Sequence, residues 1–140
     1  MYDTYNSTMS QNRLIRTRMY RILYLDENKT YLDKKHCATT HNVVIDHICA
    51  LHEIDRSQNF ELYDVAIVDM RIENAAPFDC TEFLTSLFGN IPLLAITSEN
   101  FDDKILIENK FSDFRHKSQG PDKVIEAAKQ LANSRMSKSA

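Results

Sequence analysis

Three short runs constrain the fold more than any other feature of this chain: RILYL from Arg21 to Leu25, VAIV from Val65 to Val68, and PLLAI from Pro92 to Ile96. Each is almost continuously apolar. A strand with one wet face alternates apolar and polar residues, so unbroken runs of this length indicate strands covered on both faces, as in parallel sheets with helices above and below. A sandwich is excluded by the same argument.

The segments between and after the runs carry helical spacing. The clearest opens at Gly120-Pro121-Asp122, with proline in the first turn, and then places Val124, Ile125, Ala128 and Leu131 on one face. Cys80 to Phe88 sets Phe83, Leu84, Leu87 and Phe88 similarly, and Gly89-Asn90 ends it. A shorter helix is expected over Asp102 to Asn109 through Ile105, Leu106 and Ile107. Between Thr30 and Phe60 the pattern predicts a helix from Thr30 to Ala38, a strand from Asn42 to Asp46 and a helix from His47 to Gln58. The alternation predicts an α/β domain with right-handed crossovers and a doubly wound five-stranded parallel sheet, with helices on both faces.

Composition narrows the setting. The 140 residues suit one domain with a single core, and 43% hydrophobic with 26% charged residues is a globular balance. No apolar stretch is long enough for a membrane span, and the polar start, Met1 to Gln11, is unlike a signal peptide, so a cytoplasmic location is expected. Cys37, Cys49 and Cys80 are odd in number and form no CxxC, which argues for reduced thiols. A net charge of −3 argues against nucleic-acid affinity for the domain itself. Residues 1–20 read as a flexible N-terminal arm, 21–134 as the domain and 135–140 as a polar tail. Within the arm, RLIRTRMYR (Arg13 to Arg21) is basic with interleaved apolar residues and reads as a solvated leader.

In an open parallel sheet, functional groups gather outside the carboxyl ends of the strands. The residues directly after the apolar runs are Asp26-Glu27, Asp69 and Thr97-Ser98, and Lys117 follows Asp113 to Phe114. Three carboxylates, a hydroxyl and an ammonium on one edge point to a divalent cation and a phosphoryl group. Asp26-Glu27 read alone could be an acidic helix start, Thr97 a helix cap, Lys117 a solvated lysine and Phe114 core packing. The intervals between the four pieces each suit one or two strand-helix-strand steps, and this joint placement favours a common site.

These motifs resemble the receiver (CheY-like) domain of two-component response regulators. ILYLDEN matches that family's first strand ending in an acidic pair, and VAIVDM its strand ending in the phosphorylated aspartate. LLAITSE matches the strand ending in Thr or Ser, and DFRHK the aromatic three positions before a lysine. The similarity runs from about Arg21 to Asn133. It implies a flavodoxin-like sheet of order 2-1-3-4-5, with Asp69 as phosphoacceptor and Mg²⁺ on Asp26, Glu27, Asp69 and the backbone carbonyl of Arg71. It further implies Thr97 and Lys117 on the phosphoryl group, and Thr97 with Phe114 as a switch. The implied partners are a sensor histidine kinase or histidine phosphotransfer protein, a downstream target or output domain, and a second copy docking through the fourth helix, fifth strand and fifth helix. The domain would catalyse only its own phosphoryl transfer and dephosphorylation, either as a stand-alone regulator or apart from its output module.

The chain also departs from the family pattern. Glu27 stands where Asp is commoner, the stretch after Asp69 reads MRIENAAPFDCTEF with Pro77 displaced and Cys80 in place of glycine, and Lys117 precedes Ser118 where the family has proline. One rival reading is therefore a pseudo-receiver, a phosphorylation-independent interaction module. Another, a flavodoxin-like FMN carrier, needs a phosphate-cradling loop after the first strand, where this chain has the acidic Asp26-Glu27-Asn28-Lys29. Cys37-x3-His41 and Cys49-x2-His52 loosely follow zinc spacing, but NVVIDHI between them reads as a strand that separates the pairs.

Overall fold

A computed structural model of the protein describes residues 19–50, 53, 62–70, 91–99 and 111–139. In chain order these form β1 (Tyr20–Leu25), α1 (Lys34–His41), β2 (Val43–Ile48), β3 (Val65–Asp69), β4 (Leu93–Thr97), β5 (Asp113–His116), a 3-10 turn (Lys117–Gln119) and α2 (Pro121–Ser139). All strand pairs are parallel and the sheet order is β2-β1-β3-β4-β5. This is the doubly wound, flavodoxin-like arrangement that the apolar runs and the motif similarity predict.

The central strands are apolar throughout because both faces are covered. Every residue of β3 and β4 is buried. On one face Ile22, Tyr24, Val65, Ile67, Leu94 and Ile96 pack against α2 through Val124, Ile125 and Ala128. On the other, Leu23, Leu25, Ala66, Val68 and Leu93 form a second cluster with Tyr63 and Ile91. The expected helices over Cys80 to Phe88 and Asp102 to Asn109 lie outside the described residues, as does most of the one expected over His47 to Gln58.

Two local expectations need correction. The helix expected from Thr30 opens only at Lys34, because the Thr30 amide and hydroxyl are already held by the Asn28 side chain. Asp33 then caps the helix by accepting from the His36 amide, and Asn42 closes it in the left-handed conformation (φ 58°), which asparagine tolerates better than most residues. The second strand runs two residues further than expected, so His47 and Ile48 belong to β2 and not to a helix. Their partners across the ladder are Tyr24 and Leu25 of β1.

The C-terminal helix agrees with its start signal. Gly120, at φ 99°, makes the left-handed link from the 3-10 turn, and Pro121 opens α2. The helix backbone continues to Ser139, through most of the stretch expected as a tail.

Candidate functional site

β1, β3 and β4 all end at the same edge, where Asp26, Asp69 and Thr97 follow or close the strands. Register sets their spacing, since Leu25 pairs with Val68 and Asp69 with Ile96. Alternation along a strand aims Tyr24 and Asp26 of one segment and Asp69 of the other at the α1/α2 face of the sheet. Asp26 is 2% exposed, Asp69 8% and Thr97 0%. Charged groups are held this deep only when paired.

Lys117 supplies the pairing. Its Nζ lies 2.7 Å from Asp26 Oδ2 and 2.5 Å from Asp69 Oδ2, and its side chain is only 13% exposed. Burial works to lower the Lys117 pKa, but the bonds to Asp26 and Asp69 and the charges of both outweigh it and hold the group above the ordinary lysine value. The ammonium therefore bridges two carboxylates. Its backbone is fixed too: the Tyr31 hydroxyl donates to the Lys117 carbonyl at 2.8 Å, and the His116 ring accepts from the Ser118 amide at 3.1 Å. The Tyr31 ring also lies 5.1 Å from the ammonium.

Asp26 is held by more than Lys117. The Tyr24 hydroxyl donates to Asp26 Oδ2, and the Asn28 amide donates to Oδ1 at 2.9 Å. Burial first, and the neighbouring Asp26 carboxylate second, drive the Tyr24 pKa far above the usual phenol value, so Tyr24 is a permanent donor. His47 stacks on the Tyr24 ring with centroids 4.7 Å apart, and its Nε2 donates to the Asp26 carbonyl at 2.7 Å.

Asp26, Asp69 and Lys117 are thus brought together as the spacing predicts. Thr97 closes β4 one residue beyond the partner of Asp69, and its hydroxyl accepts from the Glu99 amide at 3.0 Å. Phe114, opposite Ala95 on β5, packs against Met70 and Ala95 on the sheet face that Thr97 also shares by alternation. Glu27 is exposed at the rim. Arg71 lies outside the described residues. Tyr24, Tyr31 and His47 join the site without belonging to any of the four sequence motifs' functional positions; the signal for Tyr24 is that a tyrosine inside a buried run needs a hydroxyl partner, and Asp26 lies two residues on.

Chemically, the cluster is a set of hard oxygen donors beside a cation, which fits a divalent ion such as Mg²⁺ held by carboxylates. It does not fit a flavin phosphate. The loop after β1 turns its Asn28 and Thr30 amides inward onto Asp26 and Asn28, so they form no anion cradle.

Comparison with solved structures agrees with this architecture: the fold is that of CheY-like response-regulator receiver domains. The chain is similar to a CheY-like receiver domain protein from Methanospirillum hungatei, with 14% identity and a TM-score of 0.71 over 86% of this chain and 98% of that one. A response regulator from Thermotoga maritima matches at 15% identity and a TM-score of 0.66, covering 82% of this chain and 98% of that one. The non-phosphorylated HemR receiver domain from Leptospira biflexa matches at 14% and 0.65, covering 81% and 94%. No protein-family model and no curated protein matches the sequence. Among the described residues no helix is long and apolar enough to cross a membrane.

Proposed function

We propose that the protein is a phosphoacceptor receiver, in which Asp69 takes a phosphoryl group from a phosphohistidine of a kinase or phosphotransfer protein. One observation carries the reading: Asp26 and Asp69, 43 residues apart at the ends of β1 and β3, are drawn onto the single ammonium of Lys117 at the carboxyl edge of the sheet. A carboxylate oxygen of Asp69 attacks phosphorus, the P–O bond forms as the P–N bond breaks, and the leaving imidazole takes up a proton. Lys117 moves with the negative charge onto the transferred group, and the Thr97 hydroxyl donates to one of its oxygens. Mg²⁺, when bound by Asp26, Glu27, Asp69 and the Arg71 carbonyl, supplies further charge compensation there. Drawing Thr97 toward the phosphoryl group would open space behind it, and Phe114, which lies on the same sheet face, would fill that space. The output surface is then β5 with the helices beside it, read by a target protein, an output domain or a second copy.

A second reading has its own support. Tyr24, Asn28 and Lys117 already satisfy Asp26 without a metal, which suits a docking module that works unphosphorylated.

An amide NMR titration with Mg²⁺ and then beryllofluoride, on wild type and Asp69→Asn, separates the two. Saturable Mg²⁺ shifts at Asp26 and Asp69, followed by fluoride-dependent shifts at Thr97, Phe114 and Lys117 in wild type alone, are expected. No response to millimolar Mg²⁺ in the folded protein would overturn the phosphoacceptor reading.

A further inference from the structure

Between α1 and the first turn of α2, three metal-ligating side chains from two helices converge. His36 and His41 lie on α1, and Asp122 lies in the first turn of α2. His36 Nε2 is 3.0 Å and His41 Nε2 2.8 Å from the same oxygen, Asp122 Oδ1, and the three ligand atoms all fall within 4.8 Å of one another. We propose that His36, His41 and Asp122 form a Zn²⁺ site that ties α1 to α2.

The donor set decides the metal. Two imidazole nitrogens and one carboxylate oxygen are the ligand types that zinc takes, with a fourth position left to water, whereas Mg²⁺ prefers oxygen alone. The site is thus chemically distinct from the oxygen-only cluster at Asp26 and Asp69. Geometry agrees as well. Both Nε2 atoms point at the same Asp122 oxygen, and the two rings, at 80° with centroids 5.8 Å apart, are not stacked on each other, which leaves both Nε2 atoms free to turn onto one ion. Ligand atoms around such an ion, bonded at about 2.0–2.1 Å, stand about 3.3 Å apart. The two Asp122 contacts are a few tenths of an ångström shorter than this and the two Nε2 atoms lie within 4.8 Å of each other, so the exposed His36 and Asp122 side chains must adjust to admit the ion.

The rings are also held from behind. His36 Nδ1 meets the Thr40 hydroxyl at 3.3 Å, and that hydroxyl can accept from Nδ1–H when Nε2 binds an ion. His41 is 8% exposed, which limits its ring to few orientations, and its backbone carbonyl accepts from Lys129 Nζ at 3.0 Å. An ion here joins the helix that follows Asp26 to the helix that follows Lys117.

The test is a titration of the full chain, labelled with ¹⁵N, with ZnCl2 in excess Mg²⁺, read through the imidazole nitrogens. The Nε2 signals of His36 and His41 should change together and saturate at one equivalent of Zn²⁺, while Mg²⁺ alone leaves them in place. Asp122→Asn and His36→Gln should each lower Zn²⁺ affinity by roughly tenfold or more, with the amide spectrum reporting that the fold is kept. Zn²⁺ that moves His47 or His116 but not His36 and His41, or that binds Asp122→Asn as tightly as wild type, would overturn the assignment.

Discussion

Replacing Lys117 by methionine keeps most of the side-chain stem and removes the charge. Because Nζ sits 2.7 Å from Asp26 Oδ2 and 2.5 Å from Asp69 Oδ2, those two oxygens lie within about 5 Å of each other. Their repulsion without the ammonium is about 3 kcal/mol at an effective dielectric near 20. Loss of one partner from a buried ion pair costs about 3–5 kcal/mol. The lower end applies here, since Asp26 keeps its bonds from Tyr24 and Asn28. Lys117→Met should therefore lose about 3 kcal/mol in urea unfolding at neutral pH with EDTA, equivalent to about 10 °C in Tm for a chain of this length. Two further results separate charge from packing. The gap to wild type should narrow as pH falls into the carboxylate range, because one bound proton removes the repulsion. Millimolar Mg²⁺ should recover part of the loss, and should bind the variant more tightly than wild type. A loss below about 1 kcal/mol in EDTA, or a loss independent of pH, would refute the claim that Lys117 holds two carboxylates together by charge.

Tyr24→Phe removes the hydroxyl donor to Asp26, with an expected cost of about 1–2 kcal/mol in thermal or urea unfolding and tighter Mg²⁺ binding at the freed oxygen. Alkaline stability should fall progressively, with Cys37 acting first and Tyr31 next, and with the buried Tyr24 adding to the loss above the ordinary phenol range. Burial, with the charges of Asp122 and Asp33, pushes the Cys37 thiol up to about 11, and burial, with the charge of Asp26, pushes the Tyr31 phenol up to about 12. Both groups are raised in the folded state, so their stabilisation is intact below the unfolded values near 9 and 10 and is lost as pH rises through 11 and 12. Urea midpoints measured from pH 8 to 12 should drop, and Cys37→Ala should remove the earlier part of the drop; a flat profile would contradict the burial of both groups. Asn42→Ala should cost about 1 kcal/mol by forcing an alanine into the left-handed cap, whereas Asn42→Gly should be close to neutral in the same unfolding assay.

How far the sequence could be read depended on whether a residue's neighbours along the chain decide its place. ILYL, VAIVD and LLAIT are buried on both faces, so their apolar character alone specified central strands, and strand ends specified the edge on which Asp26, Asp69 and Thr97 meet. His47 is the opposite case. Its chain neighbours suit a helix start, and contacts more than twenty residues away, the ladder with β1, the Tyr24 ring and the Asp26 carbonyl, extend the strand through it. The start of α1 failed for a similar reason: Thr30 and Asp33 are both good caps, and the Asn28 side chain, by taking the Thr30 amide, decides between them. Lys117 was legible as a site residue from its position after β5. Its choice of two carboxylates was not, because that depends on how close β1 and β3 bring Asp26 and Asp69.

The same pairing reshapes what activation would require. A site with open carboxylates gains a cation by simple addition, with repulsion between acids as the driving term. Here the repulsion is already offset by Lys117, and Asp26 Oδ2 also carries the Tyr24 hydroxyl. Under the proposed function, binding a cation would require Lys117 to give up Asp26, and a phosphoryl group on Asp69 would give the ammonium a new anionic partner. Tyr31 and the capped 3-10 turn fix the backbone of Lys117, so the exchange is confined to rotation of its side chain. The two events would then be coupled, because both draw on the same Lys117 pairs to Asp26 and Asp69. Tyr24 tunes the balance, because a donor that never ionises stabilises Asp26 in the resting arrangement at every physiological pH. A chain with a phenylalanine at position 24 would bind the cation more readily and hold its resting state less firmly.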